Sequence, residues 1–110
     1  MVRFVDEPYV SKDVTSKISS IKWKMACGIG MTRLHFITVA DNGRDLFDIY
    51  PAAVFKQKYF RKSDRVIIGV AGSYNSATEL VERMINDCLQ DRGNIFDVRT
   101  YYEDYVKEHI

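Results

Sequence analysis

The sequence predicts an α+β domain: a mostly antiparallel sheet of four to five strands, packed by one long helix over about 76–91 and two short helices. Three observations carry this. Ile21, Trp23, Met25, Cys27, Ile29 and Met31 occupy alternate positions, the period of a half-buried strand. Asn42-Gly43 separates two short apolar runs, and Asn-Gly is a strong hairpin signal because both residues tolerate positive φ. Ala77, Leu80, Val81, Met84, Ile85, Cys88 and Leu89 follow the i, i+3, i+4, i+7 rhythm of one helix face. Hairpins followed by a helix place the helices on one side of an antiparallel sheet.

The elements follow in order. Residues 1–16 have no clean period around Pro8 and read as a loose N-terminal arm or an edge strand. The alternating run 21–31 is the first strand, and Leu34 to Ala40 the second. Asp45 to Tyr50 is the third. A two-residue loop at Asn42-Gly43 sets its register: Val39 opposite Leu46, Thr38 opposite Phe47, Phe36 opposite Ile49 and His35 opposite Tyr50. A tight turn at Met31-Thr32 then gathers Trp23, Met25, Cys27, Ile29, Leu34, Phe36, Phe47 and Ile49 on the face that the long helix covers. Pro51 opens a short helix over 52–60. Arg65 to Ala71 is a strand apolar on both sides, so a three-layer sandwich is the alternative architecture. Gly72-Ser73-Tyr74-Asn75 turns the chain, Ser76 and Glu79 form a capping-box pattern, and Gly93 ends the helix. Ile95 to Arg99 reads as a last short strand. Thr100 and Glu103 form a second capping box, ahead of a helix with Tyr102, Tyr105, Val106 and His109 on one side.

Size and charge narrow the function classes. A chain of 110 residues makes one domain, residues 1–110, able to bury a core without staples. Its net charge of +1 draws it to neither nucleic acid nor membrane. No run approaches the ~18 apolar residues of a membrane span. The N-terminal residues lack the basic and apolar regions of a secretory signal. Cys27 and Cys88 sit at apolar positions of their elements, which suits buried thiols in a reducing compartment. A cytoplasmic location is therefore expected.

No constellation of residues declares a reaction. Cys27 and His35 fall on opposite faces of the expected sheet, which opposes a nucleophile–base pair. Two histidines and two distant cysteines have no metal-ligand spacing, so neither a metal nor another cofactor is expected. Asp41, Asp45 and Asp48 read as turn chemistry; Glu79, Glu82 and Asp87 read as a solvated helix face. The basic cluster Lys56, Lys58, Arg61, Lys62 and Arg65 includes Tyr59 and Phe60, yet no nucleic-acid reader motif accompanies it.

Two features remain. The reverse face of the expected sheet carries His35, Ile37, Val39, Leu46 and Tyr50, an apolar patch that calls for cover. Another helix of the chain, a second copy or another protein would supply it. The start of the long helix, with Gly72, Ser73, Asn75 and Ser76, has free N–H groups and the positive end of the helix dipole. The first reading is thus a non-enzymatic interaction domain that self-associates as a homodimer. The second is an anion or small-ligand site at the helix start, enzymatic or not.

Two resemblances accompany these readings. Asp64-Arg65-Val66-Ile67-Ile68-Gly69-Val70-Ala71-Gly72-Ser73 and the helix after it resemble the strand–Ala-Gly-Ser–helix unit of proteasome-type N-terminal-nucleophile hydrolases. That resemblance carries over no catalytic residue, since Val2 follows Met1 where the family has Thr, Ser or Cys. Ile68-Gly69-Val70-Ala71 with Ala77-Thr78-Glu79-Leu80-Val81 is similar to small uncharacterised α+β proteins of gut Clostridia, which implies a bacterial cytoplasmic protein.

Overall fold

The computed structural model describes residues 2–14, 34–40, 46–57, 63–94 and 97–109. The expected strand 21–31 with Trp23 and Cys27, the Met31-Thr32 turn, the Asn42-Gly43 corner and most of the basic cluster lie outside these residues. Within them the strands are β1 (Arg3–Val10), β2 (His35–Val39), β3 (Phe47–Pro51) and β4 (Val66–Ala71). The helices are α1 (Tyr74–Arg92) and α2 (Val98–His109), with a 3-10 turn at Ala52–Lys56. The chain is α+β, as predicted.

The sheet order is β1-β4-β2-β3, and it corrects the expectation of a mostly antiparallel sheet. β2 pairs antiparallel with both β3 and β4, but β1 runs parallel to β4. Arg3–Val10 of the N-terminal segment thus forms an outer strand of the described sheet. Its register jumps from Phe4 opposite Ile67 to Tyr9 opposite Gly69, and Pro8 lies within the jump. Proline cannot donate to a ladder, so an irregular edge is where it belongs. Asp6 and Glu7 are exposed there and discourage a further strand.

The β2–β3 register differs from the expected one by a single residue. Val39 faces Phe47, Ile37 faces Ile49, Phe36 faces Tyr50 and His35 faces Pro51. Beyond the ladder, the Ala40 N–H donates to the Leu46 carbonyl at 3.2 Å. A one-residue slip changes which side chains share a face. Ile37, Val39, Phe47 and Ile49 now lie together under α1, while Leu34, Phe36 and Tyr50 point the other way. The physical reason is burial. This register buries Ile37 fully and packs the half-buried Val39, Phe47 and Ile49 against the same core; full burial of one such side chain is worth ~1.5–3 kcal/mol. Leu34 and Phe36 therefore leave the helix-covered face, and Ile37 and Val39 leave the reverse face.

α1 buries Ala77, Leu80, Met84 and Cys88 on Val5, Ile37, Ile68 and Ala71. Ser73 caps its start by accepting from the Ser76 N–H at 3.1 Å. Gly93 ends it at φ 82°, where a side chain would be strained, and its N–H reaches the Leu89 carbonyl at 2.8 Å. Burial raises the Cys88 thiol pKa. On the far side of the sheet Val14, Phe36, Ala52, Ile67 and Val70 form a second buried cluster. β4 is thus apolar on both faces, as its sequence indicates. Ile68 and Val70, two residues apart, fall in opposite clusters, so the alternation slips at Gly69. A Cβ there would lie 3.0 Å from the Ile37 Cδ1.

No strand forms at 97–99; Val98 already starts α2. The turn before it is held by Asn94, whose Oδ1 accepts from the Asp97 N–H at 3.1 Å, so Thr100 lies inside the helix rather than capping it. The aromatic residues explain their own number here. Tyr102 is fully buried, with Tyr9, Phe47, Tyr101 and Tyr105 rings 5.0–6.0 Å from its own. Its hydroxyl donates to the Met84 carbonyl at 2.6 Å and lies 3.2 Å from the Tyr9 hydroxyl, which donates to Asp87 Oδ2 at 3.1 Å. Burial pushes Tyr9 up to about 12, and Tyr102 is also raised by burial. This cluster ties β1, β3, α1 and α2 together.

A cleft at the open end of the sheet

The expected helix-start site is built from four residues, and the structure places them together. Gly72 and Ser73 bend the chain after β4, Ser76 joins the cap, and Asn75 is exposed on the first turn. Two residues from the N-terminal segment complete the arrangement. The Gly72 N–H donates to Ser11 Oγ at 3.2 Å, and Ser11 donates to Asp13. The Ser76 hydroxyl lies 3.4 Å from Asp13 Oδ2. A Cβ on Gly72 would stand 2.1 Å from that same Asp13 oxygen. A carboxylate of the chain itself therefore occupies the place where the helix dipole attracts an anion. Asp13 lies about sixty residues upstream with no local pattern to mark it, so sequence reasoning missed it.

The five residues expected on the reverse face separate. Ile37 is fully buried beneath α1. His35 lies at the other end of β2, its ring 5.9 Å from that of Tyr74. Leu46 precedes β3 and is 36% exposed. Val39 and Tyr50 come together in the lining of one cleft.

That cleft forms where a ladder stops. β2 and β4 pair only from His35–Ala71 to Ile37–Gly69. Thr38 and Val39 of β2 and Val66 of β4 lie past the last pair, and all three line the opening. Its volume is about 600 Å³, within the range that holds a small molecule. Val106 of α2 joins Val39 and Val66 to make an apolar wall. Asp48 and Tyr50 of β3 line the same cleft, with Asp64, Arg65, Glu103 and Lys107 as its other charged groups.

The polar groups are ordered by a short relay. The Arg65 Nε–H donates to the Tyr50 hydroxyl at 3.4 Å, and that hydroxyl donates to Asp48 Oδ2 at 3.3 Å. The guanidinium also sits over the Tyr50 ring, 5.3 Å from its centre. Thr38 stands directly across from Asp48 in the ladder. It is only 4% exposed, and its hydroxyl has no hydrogen-bond partner among the described residues. Every fully buried side-chain nitrogen or oxygen among those residues has one. The Thr38 oxygen is therefore not sealed from solvent, and Thr38 is among the residues that line the cleft.

Among the described residues no group of three or more His, Cys, Asp or Glu side chains is placed to hold a metal. No described helix is long and apolar enough to cross a membrane. Compared with known families, curated proteins and solved structures, the chain matches none.

Proposed function

We propose that this chain is a small-molecule-binding domain whose site is the cleft between the open end of the β2–β4 ladder and α2. One observation carries the reading: Thr38, 4% exposed and with no hydrogen bond from its hydroxyl to a described residue, lines a cavity of about 600 Å³. The Thr38 oxygen is not sealed from solvent, so its hydrogen-bonding capacity stays available at the cleft, where a polar ligand atom can take it up. Thermal denaturation of the full chain against a panel of metabolites tests the proposal. A ligand at ~100 times its dissociation constant adds ~2.7 kcal/mol. For a domain this size that corresponds to a rise of ~10 °C. Val106→Trp, which fills the cleft, abolishes the rise. A panel that stabilises nothing, or a ligand indifferent to Val106→Trp, refutes the reading.

A second reading is self-association as a homodimer, for which Leu46 alone of the five expected residues remains the motive. Leu46 is exposed beside β3, the outer strand of the described sheet on that side. Two such strands paired across a two-fold axis cover it. Sedimentation velocity at tens of micromolar checks this: a dimer that Leu46→Glu dissociates supports it, and a monomer refutes it.

A further inference from the structure

We infer that the cleft takes a small organic amine with an apolar body; the inference rests on the cleft being a ligand site. The lining of the cleft points to this class. Thr38 and Asp48 face each other across the β2–β3 ladder. A hydroxyl and a carboxylate therefore stand side by side, with Cβ atoms ~5 Å apart. Asp48 uses Oδ2 to accept from Tyr50. An ionised carboxylate has about four acceptor positions, so it holds more than one donor. An ammonium brings three donors and no acceptor, and both the Thr38 oxygen and the Asp48 carboxylate can receive them.

The charged groups agree. Among the described residues Asp48, Asp64 and Glu103 line the cleft with Arg65 and Lys107; the N-terminal ammonium and Arg3 act on Asp64, which leaves Asp48 as the carboxylate beside Thr38. Arg65 is moreover drawn onto Tyr50, through both its Nε–H and the ring face. An acid entering the cleft meets Asp48 at its anchor point, whereas an ammonium meets an acceptor pair. The Val39, Val66 and Val106 wall has no polar side chain and suits a hydrocarbon or aromatic body. The size of the opening admits a molecule of this kind with room for its apolar part.

The test is a size-matched comparison by calorimetric titration of the full chain with phenethylamine, cyclohexylamine, 3-phenylpropionate and 2-phenylethanol. The amines bind, and the acid and the alcohol bind at least about tenfold more weakly, the scale of one charge-assisted hydrogen bond. Asp48→Asn keeps the shape of the side chain and removes its charge. It weakens the amines by about tenfold, and Thr38→Val weakens them several-fold. Each variant's unliganded melting temperature certifies its fold. If the acid binds as well as the amines, or if Asp48→Asn leaves the amines unchanged, the ligand class is wrong, although the cleft remains a site provided that Val106→Trp still abolishes binding. If none of the four compounds binds, the amine inference fails, while the metabolite panel decides separately whether the cleft is a site.

Discussion

Gly72→Ala tests the packing of the N-terminal segment on the start of α1. A methyl at this position would sit 2.1 Å from Asp13 Oδ2, 2.6 Å from its Cγ and 3.1 Å from Oδ1. Ordinary contacts begin near 3.4 Å, so the carboxylate must retreat by more than an ångström. Retreat gives up the bond from Ser11 and the long contact with the Ser76 hydroxyl. The first is worth ~1–1.5 kcal/mol at this part-buried site, and the helix-dipole attraction adds ~0.3–1 kcal/mol. Against these, alanine lowers the entropy of the unfolded chain and returns ~0.4–1 kcal/mol, because the Gly72 φ is not positive. The net loss is ~1 kcal/mol, a fall of ~5 °C in melting temperature. In an Asp13→Ala background the obstruction is gone and only the entropic gain remains. The same substitution then stabilises by ~0.5 kcal/mol, which makes the coupling ~1.5 kcal/mol. Thermal denaturation of the four proteins measures the cycle. An equal loss in both backgrounds refutes the placement of Asp13 over Gly72.

Three further outcomes follow from the core. Ile37→Ala destabilises the monomer by ~2–5 kcal/mol, because the side chain is fully buried under α1; denaturant unfolding reads the loss, and a neutral result would restore the reverse-face register. Tyr102→Phe keeps the ring contacts but removes the donor to the Met84 carbonyl, at a cost of ~1–2 kcal/mol by the same assay. Stability against alkali depends on Tyr9. Its ordinary value is 10.0 and burial lifts it to about 12, so the folded state holds a proton that the unfolded chain has released. The contribution is complete below pH 10 and is lost as pH climbs through 12. Melting temperature recorded over that window falls, and Tyr9→Phe flattens the fall; an unchanged slope counts against the buried tyrosine pair.

How far the sequence was legible depends on the range of the interaction read. The α1 face Ala77, Leu80, Met84 and Cys88 repeats within the chain's own helical period, and Gly93 marks its end within one turn. Both are written in consecutive residues. The Asn42-Gly43 signal located a connection between β2 and β3 but misjudged the register by one residue. The burial of Ile37, Val39, Phe47 and Ile49 under α1 outweighs a preference of the turn, and a turn motif carries no information about what the faces will meet. Of the candidate site residues, Gly72, Ser73 and Ser76 do assemble, yet the group they surround is Asp13. Val39 and Tyr50 reach the cleft for a reason unrelated to a bare face. Thr38, its most telling residue, sits in an apolar run where nothing distinguishes it.

The amino-acid order by itself determined the α+β class, the long amphipathic helix with its glycine stop and the two-sided burial of β4. Each follows from hydrophobic period and backbone preference, which act between residues a few positions apart. Only the tertiary structure decided that β1 lies parallel to β4, that Asp13 fills the start of α1, and that the β2–β4 ladder opens into a cleft at Thr38. Those contacts join residues roughly thirty to sixty positions apart. Their partners are chosen by which arrangement buries the most apolar surface while leaving the fewest polar groups unpaired, a condition on the whole chain that no short window contains.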